Sequence, residues 1–400
     1  MLTRRFFLRS SAVAMVGVGI APRWLARAAA QGEPRRKILV AIFQRGAADG
    51  LNIVVPFGEP QYYAARPTIA VPPPGKANGA IDLDGRFGLH PSLQPLKALW
   101  DDRQLAIVQA VGSPDPSRSH FDAQDYMESG TPGRAAEDGW LSRALPAASP
   151  GSSPVRAVAM GARMPLTLRG NSGTIAIGDL QQFQVRDQGA AGILESMYGT
   201  TRDTQLSAQG KSTFEALKLI EAVGRQPYTP AAGAQYVGEF GNALRQIARL
   251  IKADIGVEAA FADIGGWDHH TNEAPQMTGL LQQFGGALAS FARDMGDRME
   301  DIVLVTMSEF GRTVHEDGTA GTDHGHGNVM MVLGGPVRGG TIYGRWPGLE
   351  PEQLFERRDL AVTTDFRDVL GELVSGHLGQ RIASVFPGFN PGERLGLLRA

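Results

Sequence analysis

The chain of 400 residues contains no cysteine. That absence excludes disulfides, thiolate metal sites, cysteine nucleophiles and any cofactor formed from a cysteine side chain. A basic excess is also missing: 39 Lys and Arg face 41 Asp and Glu, a formal net charge of −2, so the electrostatic footprint of a nucleic-acid binder is lacking. No segment is apolar over the roughly 20 residues needed to span a bilayer. What remains is an ordinary globular composition, 42% hydrophobic and 20% charged with 51 Gly and 25 Pro, neither disordered nor fibrous. Any chemistry falls to Ser, Thr, His, Asp, Glu, Lys, Arg or Tyr.

The first thirty residues differ from the rest. Thr3-Arg4-Arg5-Phe6-Phe7-Leu8-Arg9 is a basic opening, Ser10 to Pro22 a short, weakly apolar run, and Ala26-Arg27-Ala28-Ala29-Ala30 a small-residue cleavage region. Paired arginines followed by Phe-Leu give a twin-arginine signal peptide over residues 1–30, read by a twin-arginine translocase that exports folded proteins. The alternatives, an amphipathic helix or a membrane anchor, fit less well, because the apolar run is too short to span a bilayer. The expected localisation is periplasmic or secreted, with no membrane anchor after cleavage. The segment carries five arginines and no acid, so without it 34 basic residues face 41 acidic ones and the mature chain is near −7.

After this leader, compact apolar runs read as buried strands: 37–43, 105–111, 155–160, 259–264, 302–307 and 329–333. Val237, Phe240, Leu244, Ile247 and Ile251, and then Met277, Leu281, Phe284, Leu288, Phe291 and Met295, fall at helical spacings of three and four. Strands apolar throughout, alternating with amphipathic helices, predict an α/β domain: a mostly parallel central sheet with helices on both faces. A single such domain is expected over 31–400, with insertions near 57–92 and 145–235, where no long periodic pattern runs.

Ligands of open parallel sheets bind beyond the carboxyl ends of the strands, and acidic and histidine residues gather there. Asp49 follows the first strand; Ser117-Arg118-Ser119-His120 follows the second and opens a helix. Gly266-Trp267-Asp268-His269-His270 follows the strand 259–264, and Ser308-Glu309-Phe310-Gly311-Arg312 the strand 302–307. Thr322-Asp323-His324-Gly325-His326 precedes the last of the runs. Carboxylates and neutral imidazoles in glycine-rich loops are what divalent metals require, so Asp268 with His270, and Asp323 with His324 and His326, are candidate ligands. Each group also reads as loop polarity, and Asp49 as an Asp-Gly turn. Ser119 suits an N-cap and equally a hydroxyl nucleophile beside a helix N-terminus. Arg118 and Arg312 are candidates for bidentate binding of an anion.

The stretches FQRGAADGLNIVVP, PSRSHFDAQDYMESG, GGWDHHTNE, TMSEFGRT and GTDHGHGNVMMVLGGPVRGG, with TTDFRDVLGELV further on, resemble domain-of-unknown-function family 1501. That family in turn resembles the alkaline phosphatase and sulfatase superfamily. The resemblance implies a fold of that type, a site for one or two divalent metal ions, and hydrolysis of a phosphate or sulfate ester. Asp49 then stands where the superfamily has its early metal ligand, Ser119, or less well Ser117, where it has its nucleophile, Asp268 and His270 where it has a downstream pair, and His324 where it has its last metal histidine. The departure is at Glu309-Phe310, where Asp-His is usual: Glu309 keeps a donor and Phe310 does not, leaving that metal position weakened, shifted to His326 or empty. The rival expectation is a catalytically degenerate binding or assembly protein of the same fold, recognising an anionic glycan or a partner.

Overall fold

A computed structural model describes residues 35–147, 152–170, 173–180, 196–198, 200 and 203–399. The twin-arginine segment lies outside the described residues. Twelve strands are present: β1 (Ile38–Gln44), β2 (Val54–Val55), β3 (Ile81–Asp82), β4 (Gly88–Leu89), β5 (Leu105–Gly112), β6 (Ala157–Met160), β7 (Thr174–Ile177), β8 (Ala259–Ile264), β9 (Ile302–Ser308), β10 (Asn328–Gly334), β11 (Thr341–Tyr343) and β12 (Thr364–Asp365). The helices are α1 (Gly50–Ile53), α2 (Pro60–Ala65), α3 (Gln94–Asp101), α4 (His120–Ser129), α5 (Trp140–Ala144), α6 (Thr204–Arg225), α7 (Gly238–Lys252), α8 (Glu273–Met295), α9 (Phe366–Gly376) and α10 (Ile382–Val385).

All six strands and both long helices read from apolar patterning are found within a few residues of their expected ends. The main sheet runs β11-β5-β10-β9-β1-β8-β6-β7, with β12 also on β5, and β2, β4 and β3 form a small second sheet. Pairing in the main sheet is parallel at β9-β1-β8-β6-β7 and at β5 with β11 and β12; among its described strands only β10 runs against its neighbours, β5 and β9, while the small sheet is antiparallel. The fold class is therefore the α/β arrangement expected from the sequence.

Alternation along β1 shows why its strand is apolar throughout. Ile38, Val40 and Ile42 join one core with residues of α3, α7 and α8, while Leu39, Ala41 and Phe43 join another with residues of α5, α9 and α10. Side chains of a strand point alternately to the two faces, so a sheet covered on both sides needs both sets apolar. The stretch 57–92 supplies α2 and two strands of the small sheet; 145–235 supplies β6 and β7 at the edge of the main one. No helix among the described residues is long and apolar enough to cross a membrane.

Two histidines are buried in this framework away from the polar edge of the sheet. His377, at the end of α9, donates through Nε2 to the Ile38 carbonyl at 3.0 Å, and His90 accepts the Ser92 N–H at 3.1 Å. Burial pushes both imidazoles down to about 4. An unfolded histidine binds its proton near pH 6.5, so the contribution of each is intact above that pH and is lost as pH falls from 6.5 toward 4. At the acid end each accounts for on the order of 3 kcal/mol. Chemical denaturation at pH 7.0, 5.5 and 4.5 is expected to show His377→Gln losing less stability over that range than the parent; an equal loss overturns this assignment.

Candidate metal centre

One edge of the sheet collects the polar loops. Strands β1, β5, β8 and β9 present their carboxyl ends there, and because β10 is antiparallel, the loop before it returns to the same edge. The loops meet at close range only where side chains are absent. A Cβ on Gly46, which has φ +116°, would lie 2.8 Å from the Asp268 nitrogen, and one on Gly321 would lie 2.3 Å from the His270 carbonyl oxygen. Trp267, fully buried, anchors the β8 loop by donating from its indole N–H to the Ile264 carbonyl at 3.0 Å.

Three imidazoles and a carboxylate converge at this meeting point. His324 Nε2 lies 3.0 Å from His120 Nε2 and 3.0 Å from His270 Nε2. Asp268 Oδ1 is 2.8 Å from His270 Nε2 and 3.3 Å from His324 Nε2, and Asp268 Oδ2 is 3.5 Å from His120 Nε2. His120, Asp268 and His324 place one donor atom each within 4.8 Å of one another, as do His270, Asp323 and His324. The side chains are about a quarter to a half exposed, open to solutes but backed by protein.

The outer nitrogens of the rings decide what the inner ones present. His120 Nδ1 lies 2.8 Å from Glu309 Oε1, and His324 Nδ1 lies 3.0 Å from the Arg118 carbonyl. Both partners are acceptors only, which assigns the ring hydrogens to Nδ1. With both rings neutral, the Nε2 lone pairs face each other across 3.0 Å, a repulsion that a metal ion between them or a proton on one ring removes. Histidines oriented through Nδ1 by a carboxylate and a carbonyl are the usual outer support of a metal site. Each triad, two imidazole nitrogens and a carboxylate, fits a divalent transition metal, zinc above all, better than calcium or magnesium.

Electrostatics follow the same connections. The hydrogen bond His120 donates to Glu309 holds the His120 imidazole above its usual range, while burial and the neighbouring His120 hold His324 below it. Burial alone would raise Asp268, but Arg312, with His270 and His120, brings that carboxyl below the ordinary carboxylate range. Glu309 is lowered in spite of burial because His120, Gln124 and the Gly46 N–H all donate to it, each at 2.8 Å.

The residues expected from sequence fall into three groups. Asp268, His270 and His324 are donors at the centre, with Asp323 beside them: its Oδ1 accepts the His324 N–H at 2.8 Å and lies 3.9 Å from His270 Nδ1. Glu309 and Arg312 stand one layer out, Glu309 on His120 and buried Arg312 on Asp268 Oδ1 at 2.7 Å and on Thr322 Oγ1 at 3.1 Å. Phe310 fills the space beneath, its ring 5.0 Å from that of His120 and 5.1 Å from that of His324.

The third group lies elsewhere. Buried Asp49 is the N-cap of α1 and is gripped by both terminal nitrogens of Arg66. His326 donates to the Ser113 carbonyl at 2.9 Å and packs edge-on against Phe355. Arg118 is bound to Asp359 and Glu356, each at 2.6 Å. Ser119 caps α4, its Oγ accepting the Asp122 N–H at 3.4 Å, and Ser117 Oγ accepts the Ser119 N–H at 3.2 Å. Ser119 nonetheless stands between the carbonyl that orients His324 and the donor His120. Sequence reasoning passed over His120 itself. Its signal was present, a histidine directly after a strand at the ligand edge, but the adjacent serines drew the reading.

No curated protein sequence matches the chain. Among solved structures, it is similar to the C-terminal periplasmic domain of EcEptC from Escherichia coli in complex with Zn, at 9% identity over 75% of this chain and 74% of that one, with a TM-score of 0.35. It is likewise similar to alkaline phosphatase from the Antarctic bacterium TAB5 (10% identity, 76% and 93% covered, TM-score 0.30) and to phosphonate monoester hydrolase of Agrobacterium radiobacter (13%, 90% and 79%, 0.28). A family model matches residues 36–381, and the chain belongs to that family, described as protein of unknown function (DUF1501).

Proposed function

We propose that this protein works after export, in the periplasm or outside the cell, as a metal-dependent hydrolase of phosphate or sulfate esters. Residues 1–30 serve as its twin-arginine signal. The observation that carries the reading is the pair of Nε2 atoms, on His120 and His324, that face each other at 3.0 Å with both outer nitrogens already committed. Two triads with their donor atoms within 4.8 Å of one another would hold an ion, His120 with Asp268 and His324, and His270 with Asp323 and His324. When bound, a divalent cation there supplies Lewis acidity toward an anionic oxygen.

The chain's own part is positioning and nucleophilic attack. Ser119 Oγ sits at the N-terminus of α4, where unsatisfied N–H groups and the positive end of the helix dipole favour an anion. It attacks phosphorus or sulfur, the alcohol leaves, and water then releases the inorganic anion from the serine. Arg312 acts by holding Asp268 in place.

One observation favours a second reading, binding of an anionic glycan or a partner without turnover. Both candidate anion-binding arginines are occupied, Arg118 by Asp359 and Glu356 and Arg312 by Asp268 and Thr322. Elemental analysis with p-nitrophenyl phosphate and p-nitrophenyl sulfate assays separates the two. The hydrolase reading expects about one equivalent or more of metal and turnover of one ester. It expects Ser119→Ala to keep the metal and lose at least ~100-fold in kcat, within the range for loss of a nucleophile. Failure to turn over either ester supports the second reading, and absence of metal overturns the hydrolase reading.

A further inference from the structure

The turn Leu354 to Asp359 lies outside the donor set, yet its side chains reach both flanks of the centre. Its backbone is strained: Glu356 and Arg357 have φ of 52° and 56°, two consecutive residues other than glycine in the left-handed region. Such a conformation costs about 1–2 kcal/mol per residue and persists only where surrounding contacts enforce it. Asp359 is fully buried and accepts from Arg118 at 3.1 and 2.6 Å through one oxygen, while its other oxygen makes no hydrogen bond among the described residues and has only the Arg358 guanidinium at 3.6 Å. Strain and a buried carboxylate oxygen held only by a long ion pair in one short turn mark a place where stability is given up for a fixed arrangement.

What the turn fixes is visible in its contacts. Asp359 and Glu356 pin the side chain of Arg118, whose carbonyl sets the His324 ring through Nδ1. Arg358 donates to Asp323 Oδ2 at 2.7 Å, leaving Oδ1 to take the His324 N–H and to face His270 Nδ1. The main chain repeats the connection. Asp359 bridges to Thr313 and Arg312 bridges to His324, and the Thr313 N–H donates to the Asp323 carbonyl at 2.9 Å.

We propose that the 354–359 turn is a clasp that sets the orientation of His324 and His270 from outside the donor set, with Asp359 and Arg358 as its positioning residues. The proposal rests on the metal reading above. Histidine supports of this kind alter metal affinity about 10–100-fold when removed, although they touch no ion.

The test is titration of the metal-stripped full chain with Zn2+ and Co2+, following zinc by chelator competition and cobalt by its visible absorption. Arg358→Gln, at a half-exposed position that folding tolerates, is expected to weaken zinc about tenfold. Arg358→Lys is expected to restore most of that affinity. Asp359→Asn is expected to weaken zinc by about 10–100-fold and to shift the cobalt bands, because His324 is reoriented. Thermal unfolding of the metal-free variants separates this from loss of fold, and if Asp359→Asn does not fold, the Arg358 pair decides alone. Parental affinity and an unchanged cobalt spectrum in folded variants overturn the clasp and leave the metal centre standing. A parent chain that takes up neither ion overturns both.

Discussion

His324→Ala is expected to strip the protein of zinc. His324 is the shared member of both donor groups and touches His120, His270 and Asp268 within 3.3 Å. A zinc site worth about 10–16 kcal/mol and shared among three protein ligands draws at least about 3 kcal/mol from each, so removing this one weakens binding by roughly 100-fold or more. Glu309→Gln leaves every metal donor in place and weakens the support of His120, together with the bonds from Gln124 and the Gly46 N–H, so it is expected to cost a smaller ~10–100-fold. Metal content after dialysis and chelator competition give the ranking. The metal-free state gives an independent sign. At alkaline pH, with both rings neutral and no ion bound, the facing lone pairs of His120 and His324 repel, so there metal-free His324→Ala is expected to melt at or above the temperature of the metal-free parent. Equal zinc content in parent and His324→Ala would falsify the centre as described.

The frame of the molecule was legible because it rests on local, periodic signals. KILVAIF at 37–43 can be a strand buried on both faces and little else, and the α8 stripe from Met277 to Met295 has no period but the helical one. The polar edge was partly legible for the same reason: once strands are placed, residues after them share one side of the sheet. Pairings across that edge were not. Asp49 lies in the right place for a ligand, and only Arg66, 17 residues away in a stretch without periodic pattern, turns it into half of a buried ion pair. Arg118 and Arg312 had the chemistry of anion binders, but the carboxylates that occupy them come from residues 356, 359 and 268. Ion pairing between distant segments leaves no trace in spacing or composition. His120 was hidden differently, by a neighbour whose capping and nucleophilic roles were both easier to argue.

Arg66→Met is expected to be the most destabilising single substitution near the site. The Arg66 side chain is fully buried, donates through both terminal nitrogens to Asp49, and satisfies the carbonyls of Val314 at 2.9 Å and Thr313 at 2.8 Å. Glu273, also buried, is coupled to the same carboxylate. Burial and the charge of Asp49 hold Glu273 well above its ordinary range, whereas Arg66 overcomes burial to hold Asp49 below its own. The two shifts favour the charge on Asp49, which faces the guanidinium, and the protonated form of Glu273, whose oxygens accept from Asn52 at 3.0 Å and Thr322 at 2.8 Å. Methionine fills much of the volume but leaves Asp49 uncompensated in the interior, a defect that costs about 3–5 kcal/mol. At about 2–4 °C per kcal/mol the melting temperature falls on the order of 10 °C. Adding Asp49→Asn to Arg66→Met removes the stranded charge and is expected to recover part of the loss, so the two changes are non-additive. The same pair decides what Asp49 does. As a metal ligand its conversion to asparagine would reduce zinc affinity as His324→Ala does; as the partner of Arg66 it changes stability and leaves zinc affinity within about twofold, because its carboxylate already accepts from Arg66 and Leu51. Denaturation curves and zinc competition on Asp49→Asn, measured side by side, separate these outcomes, and the buried ion pair predicts that only the first will move.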